Sequence, residues 1–485
     1  MMGDERENGL TTPDGTHPAR DGDRPKGPLF PFRACLATAS ALVGLIVAGW
    51  AVSQVIDCVC GRLNVYVDIH RRWPLSMVHE MIPGVHAPWY DLGISAGVVI
   101  LFFVFVRWFA RQVVGSLLGV LLAGFVFVLC TNLIHGPRYG LVHPQLGDQW
   151  VRGDVLRQYY HDAGQIASAG EFLRQFESRQ EELTCHARTH PPGAVLFYYA
   201  LMKTVGHPAA ISLAIAVISV GLSGVFFYRL LSRVLDRRTC GYVTLLFLLI
   251  PSIQIYYCAT LDAVIAGCFL GVVFFMGHRR WSWCVAGSVF WLFGASFLTF
   301  GACFLLPVMA GFEWITRRSL WRSSAVILGV CLLYLAVYLA WGFNYLGSFT
   351  IASALENPQG FRLITEPVSY FMTRLENVVT ILVFFGPFLL VLSVRGWRAM
   401  RRTRTLRELL VLTNLGVLTL LAMFLAGTFR TGETARACLF IYPYLMFPVA
   451  AFLQQGHCRE SDKRTLLWLV FGQTIAMQTL GGYFW

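Results

Sequence analysis

The sequence predicts an all-α polytopic membrane protein, and three observations carry that expectation. Hydrophobic residues make up 56% of the 485 positions and charged residues 14%, where a soluble domain carries roughly 25% charged residues. Apolar runs of about 20 residues recur along the chain, each long enough to cross a bilayer core. In lipid the backbone must satisfy its own hydrogen bonds, and no alternating barrel pattern occurs, so the runs are helices. The third observation is the position of the basic residues. A net charge of +12 would suit a nucleic-acid partner if it formed one patch. Here the basic residues sit in short loops between apolar runs, which is the signature of cytosolic loops, so no nucleic-acid partner is expected.

In chain order, residues 1–33 are polar and rich in Gly, Pro, Asp and Arg, and read as a disordered cytosolic tail. No cleavable signal peptide is expected, because the first apolar run starts late and more follow. Residues 34–134 hold three expected spans: Ala34–Val55, Asp91–Phe109 and Val113–Ile134. A polar loop from Asp57 to Tyr90 carries Cys58 and Cys60 between the first two. With the N-terminus inside, residues 135–208 form a large outer loop. Within it, Gly193–Val205 is apolar but too short for a core of ~30 Å at about 1.5 Å per residue. Reading it as a helix along the outer interface places Arg229, Arg233, Arg237 and Arg238 inside. The same choice puts Arg279-Arg280, Arg317, Arg318, Arg322, the run Arg395 to Arg407, and Lys463-Arg464 inside, so one rule holds throughout.

Residues 209–485 then form the main bundle. The expected spans are Ala209–Tyr228, Cys240–Tyr257, Asp262–Gly277, Trp283–Leu298, Gly301–Trp314, Ala325–Leu346, Val378–Val394, Glu408–Gly427, Ala437–Leu453 and Leu466–Tyr483. Together they make about thirteen transmembrane helices, with the C-terminus outside. No internal repeat of the kind seen in two-halved transporters stands out. Most cysteines fall inside spans as small packing residues. Cys58, Cys60 and Cys185 face outside in this topology, and Cys185 could bridge to one of the other two.

The chemistry gathers in the outer loop. Val155, Tyr159, Asp162 and Ile166 recur at spacings of three and four, so one short helix carries Tyr159 beside Asp162. A carboxylate there can deprotonate a hydroxyl or hold a metal that does so. Asp148, Asp154 and Asp162 supply carboxylates, and Arg152, Arg157 and Arg188 can hold a phosphate. Asp154 follows Gly153 before a helix, so capping explains it as well as catalysis does. Asp162 has a solvated helix face as its plainer alternative. Thr189-His190-Pro191-Pro192 also reads as a simple helix start. His186 and His190 stand four apart, a spacing that suits a divalent metal, although the prolines end any helix carrying them. No HExxH motif occurs.

Two outer-edge features complete the set. Asp262 begins a span, where a carboxylate is costly to bury and serves function or stays hydrated. Arg430, Glu433 and Arg436 lie outside in a chain that keeps most arginines inside. There Arg436 can bind phosphate while Glu433 orients it, or the charges simply solvate a turn. The outer loop from Gly347 to Arg374 holds Glu356, Arg362, Glu366 and Arg374, and reads more simply as solvated than as a lid.

Several of these stretches resemble the GT-C glycosyltransferases, which take sugars from polyprenyl phosphates. The resemblance is to the lipid A aminoarabinose transferase and protein O-mannosyltransferase type. Tyr159-Tyr160-His161-Asp162 resembles the acidic helix of that family's first outer loop. His190-Pro191-Pro192-Gly193-Ala194-Val195-Leu196-Phe197-Tyr198-Tyr199 is similar to its juxtamembrane helix, and the span ending at Arg229 to Arg238 to the next element. Pro251 to Asp262 and the stretch Thr431 to Arg436 resemble later outer-face elements, over roughly residues 135–455. The first-loop Asp-Glu pair is absent here, and His190 stands where Lys is common. The resemblance implies an integral-membrane enzyme with Asp162, Asp154 and His190 as catalytic residues. Tyr159, Arg157, Arg188, Asp262, Glu433 and Arg436 would bind substrate. It implies a polyprenyl-phosphate sugar donor, a lipid, glycan or protein acceptor, surrounding membrane lipids, and a bacterial plasma membrane. A flippase of lipid-linked glycans, or a non-catalytic subunit of this fold, is the alternative. The flippase predicts paired ionisable groups at mid-membrane, whereas the charges here collect at the outer edge.

Overall fold

A computed structural model describes residues 31–63, 67, 87–146, 159–455 and 458–483. Its described elements are helices throughout, α-helices with short 3-10 and π segments. The expected tail is therefore outside the described residues up to residue 30, as are Asp148, Arg152, Asp154 and Arg157.

The first helix, α1, runs Phe32–Arg62, longer than expected, and takes in Cys58 and Cys60. The sequence reading placed that pair in a loop. The structure corrects this, because the apolar and small residues of Ala51–Gly61 extend the helix without a breaker. All thirteen cysteines are free, so no bridge joins Cys185 to either. Helix α2, Pro88–Val104, continues through a π turn at Phe105–Phe109, and α3 spans Leu117–Asn132, capped by Ser116. After the outer segment come α4 (Tyr159–Gly164), α5 (Ala169–Arg179, capped by Ser168) and α6 (Pro192–Thr204).

The bundle follows: α7 Pro208–Leu231, α8 Arg237–Leu249, α9 Pro251–Tyr256, α10 Leu261–Met276, α11 Trp281–Leu298, α12 Leu305–Arg317 and α13 Trp321–Trp341. Then come α14 Tyr345–Glu356, α15 Pro367–Phe385, α16 Pro387–Met400, α17 Arg407–Leu425, α18 Tyr442–Gln454 and α19 Glu460–Leu480. Seven helical segments among the described residues are long and apolar enough to cross a membrane. The other expected spans fall on shorter apolar helices, such as Leu117–Asn132, Leu261–Met276 and Leu439–Gln454, or on broken ones.

Burial sorts the helices. In α8, α10 and α18 nearly every residue is buried, as befits helices that are apolar all round and sit at the centre. In α1 and α13 only 11% and 17% of the apolar window is buried. Their exposed Leu, Val and Trp side chains suit a hydrocarbon solvent better than water.

Two expected spans are broken. Cys240–Tyr257 divides at Ile250-Pro251, where Pro251 brings no N–H. Val378–Val394 divides at Gly386-Pro387, where Gly386 takes φ 96°, a left-handed conformation open to glycine. The carbonyls freed at both breaks are met by side chains. The Gln254 amide donates to Leu248 O (2.6 Å), and Thr474 Oγ1 donates to Leu249 O (2.8 Å). Gln473 Nε2 donates to Val383 O (2.7 Å). Such re-satisfaction is what lets a broken helix persist in an apolar medium. Thr474 and Gln473 both come from α19, so one helix serves both breaks. A further polar tie lies nearby: His135 Nδ1 is 2.8 Å from the Asp91 carboxylate and its Nε2 is 2.6 Å from Gln478 O, joining α2 and α19.

Candidate functional site

The outer segment folds back on the bundle through α4, α6 and the 3-10 turn Ala187–Thr189. Pro191 and Pro192 start α6 with fixed φ. Gly193 is forced by contact: a Cβ there would lie 2.1 Å from Phe297 O. This close approach seats α6 against α11 and brings His190 and Tyr198 toward the bundle.

Between these elements, the start of α10, the end of α14 and the turn before α18 lies a cavity of about 740 Å³. Tyr159, Arg188, His190 and Tyr198 line it together with Asp262, Glu433 and Arg436. Glu356, Arg362 and Arg430 add charges at its edge. Four arginines and three carboxylates thus meet in one space.

The Arg436 Nε lies 3.3 Å from Asp262 Oδ2, with both side chains largely buried. That nitrogen makes no well-directed hydrogen bond, so the pair is held by charge rather than by a shared proton. Asp262 sits in the first turn of α10, where the helix dipole also favours a carboxylate. Arg430 Nε pairs with Glu356 Oε2 at 3.0 Å, and Arg430 Nη2 donates to the Glu356 carbonyl. Arg362 lies 3.4 Å from Glu366. The Nε of Arg188 is buried without a hydrogen-bond partner among the described residues.

The aromatic side is stacked. Tyr159 and Tyr198 stack with centroids 5.4 Å apart and planes inclined by 24°, and His190 meets Tyr159 edge-on at 5.5 Å. Burial pushes both tyrosine hydroxyls up from their usual pKa, so they stay neutral. Burial pushes His190 down. Its Nδ1 lies 2.9 Å from His186 O, so Nδ1 carries the proton and Nε2 the lone pair.

The late turn is fastened by α15. Arg374 donates to three carbonyls: Phe424 at 2.8 Å, Thr428 at 2.5 Å and Phe429 at 2.7 Å. Glu376 accepts from Gly432 N at 2.6 Å and from Thr431 Oγ1. Asn377 Oδ1 accepts from Thr434 Oγ1 at 2.6 Å. Phe429 holds φ 67°, a rare state for a non-glycine residue, and these bonds over-determine it. Glu433 and Arg436 are thereby presented from a rigid base.

Asp162 is not among the cavity-lining residues. Its buried carboxylate accepts from Thr184 Oγ1 at 2.5 Å and from Thr184 N at 3.3 Å. Burial raises its pKa, opposed by those Thr184 bonds. Tyr159 and Asp162 therefore share a helix and part company: one faces the cavity, the other ties α4 to the chain before His186. Ile166 lies past the end of α4, so the expected helix face is shorter than its pattern. Asp154 and Arg157 lie outside the described residues.

Sequence reasoning passed over Arg374, Glu376 and Asn377 as positioning residues and read Glu356 and Arg362 as loop charges. A signal existed for two of them: Arg374 and Glu376 are charges within an otherwise apolar helix, a costly placement that marks a purpose. Gln180 was also missed. It is fully buried, and its amide donates to Arg188 O at 2.9 Å and Ser348 O at 3.1 Å, linking the Arg188 turn to α14. Among the described residues no group of three or more His, Cys, Asp or Glu side chains is arranged to hold a metal ion.

No family model matches this chain, and no curated protein is similar enough to it to count as a relative.

Proposed function

We propose that the chain is an integral-membrane glycosyltransferase of GT-C type. It moves a sugar from a polyprenyl-phosphate donor to a hydroxyl on a lipid, glycan or protein. In this reading about thirteen segments cross the membrane, with α8–α9 and α15–α16 each counted as one broken crossing. The N-terminus is cytosolic, the cavity opens at the outer face, and the membrane is the bacterial plasma membrane.

The observation that carries the reading is the cavity itself. An apolar helical protein has gathered Arg188, Arg362, Arg430 and Arg436 around one space beside stacked tyrosines. A phosphate needs guanidinium groups, and a sugar ring needs an aromatic face and hydroxyl partners. In a low-dielectric site such charges stabilise a departing phosphate far better than in water. Asp262 holds Arg436 in place through their ion pair, and the Arg188 side chain lines the same cavity, a second guanidinium for a phosphate. His190 Nε2 and the neutral tyrosine hydroxyls can bind sugar hydroxyls.

The test is transfer by purified protein in lipid nanodiscs, supplied with radiolabelled undecaprenyl-phosphate sugars and a mixture of lipid and glycan acceptors. Label appearing on an acceptor, with release of undecaprenyl phosphate, supports the reading. Movement of intact lipid-linked sugar across proteoliposomes, with no glycosidic bond formed, would replace it with a flippase.

A further inference from the structure

We infer that Glu433 is the general base of the transfer, taking the proton from the acceptor hydroxyl. The inference rests on the glycosyl-transfer reading above. It begins from the three carboxylates that line the cavity among the described residues. Asp262 is committed to Arg436 at 3.3 Å and Glu356 to Arg430 at 3.0 Å. Glu433 faces the same space, and among the described residues its carboxylate has neither an ion pair within 4 Å nor a hydrogen bond. A carboxylate paired with a guanidinium has an oxygen engaged by that partner, and an unpaired one keeps its oxygens for a substrate.

Its surroundings sharpen the point. Burial raises the Glu433 pKa, and Glu356 and Asp262 push it the same way, while Arg436 and Arg430 oppose them. These groups come from α14, α10 and the late turn, and Tyr159 of α4 also feels the Glu433 charge. A base works best when its pKa approaches the working pH, and this environment moves Glu433 in that direction. His190 offers another lone pair in the cavity, which His143 and His186 also line. Burial moves His190 away from protonation, and taking a proton would add a cation beside Arg436. Protonating Glu433 instead removes an anion from a desolvated place.

The step balances without any further reagent. The acceptor O–H bond breaks and its proton goes to a Glu433 oxygen. The acceptor oxygen's electron pair forms the new bond to the anomeric carbon. The bond from that carbon to the donor phosphate oxygen breaks, and its electron pair leaves on the phosphate, toward Arg436. The rigid attachment of the turn by Glu376 and Asn377 fixes base and arginine relative to each other.

The experiment compares wild type, Glu433→Gln and Glu433→Asp in nanodiscs. Undecaprenyl phosphate binding is followed alongside transfer from undecaprenyl-phosphate sugars. Glu433→Gln should lower the rate by about 10²–10⁴-fold with undecaprenyl phosphate binding retained, and Glu433→Asp should recover part of it. The acidic limb of the wild-type pH profile should lie above 4.5, the ordinary glutamate value, and vanish in Glu433→Gln. Transfer by Glu433→Gln within threefold of wild type, or an unchanged acidic limb, overturns the assignment. Loss of activity in Glu433→Gln without partial recovery in a folded, undecaprenyl phosphate-binding Glu433→Asp also counts against it. Wild-type protein that transfers no sugar at all removes the enzyme reading itself, which is a different failure.

Discussion

Asp162 is buried and Glu433 half-buried, and desolvation raises the pKa of both carboxylates, yet they sit in opposite situations. The Asp162 region is closed: its oxygens are taken by Thr184, and it stitches α4 to the turn that carries Arg188 and His190. The Glu433 region is open: its backbone is stitched down by α15, while its side chain is left facing a cavity. A raised pKa therefore does not by itself mark chemistry. What separates the two is whether the group's hydrogen-bonding capacity is already used.

That contrast can be broken most forcefully from the open side. Arg436→Gln should lower transfer by about 10²–10³-fold, the usual cost of removing one preorganised group that stabilises developing charge. Single-turnover kinetics would check it, and a rate within fivefold of wild type would remove Arg436 from the phosphate site. Next is Arg374→Met, which does not itself line the cavity but releases the carbonyls of the lining residues Thr428 and Phe429, while Phe424 O keeps the Gly427 N–H. It should cost about 1–3 kcal/mol for each buried carbonyl that water fails to reach. Transfer should fall together with protease resistance of the 424–434 segment. Retained activity with normal protection would show that the turn holds itself.

From the closed side the effects are smaller. Asp162→Ala strands Thr184 and should destabilise the protein by about 1–3 kcal/mol. Asp162→Asn keeps an acceptor for Thr184 and should transfer within tenfold of wild type. A loss as large as that of Glu433→Gln would make Asp162 the base after all. The smallest effect is one of pH. Folding raises the Asp162 pKa above 3.8, so the folded state holds that proton more tightly than the unfolded chain. Its stabilising contribution is present below pH 3.8 and is lost as pH rises through the raised value. Asp162→Asn should flatten that slope in thermal unfolding measured across the acid range.

Much of this was legible in the sequence, for identifiable reasons. Hydropathy locates the long apolar helices, but not the polar α5 or the full length of α1. Single-residue chemistry selects Tyr159, Arg188, His190, Asp262, Glu433 and Arg436, and the fold brings all six to one cavity. Their convergence was not legible, since it depends on the Gly193–Phe297 contact and on the Arg374 bonds, which join positions far apart in the chain. The spacing of Tyr159 and Asp162 puts them on one short helix but does not say that their side chains part. The two broken spans were also hidden. A hydropathy pattern runs smoothly through Ile250-Pro251 and Gly386-Pro387, and only tertiary partners show that a break there can be satisfied.

Those partners have a consequence for biogenesis. Thr474 and Gln473 belong to α19, which follows both broken helices in the chain. Until α19 docks, Leu249 O and Val383 O lack these side-chain donors while their helices already sit among apolar neighbours. The upstream helices thus emerge from the ribosome before α19 can supply these donors, and α19 acts as the closing key. A chain cut before Gln473 should insert into the membrane yet remain a target for quality-control proteolysis, and co-expressing the missing helix as a separate peptide should rescue it.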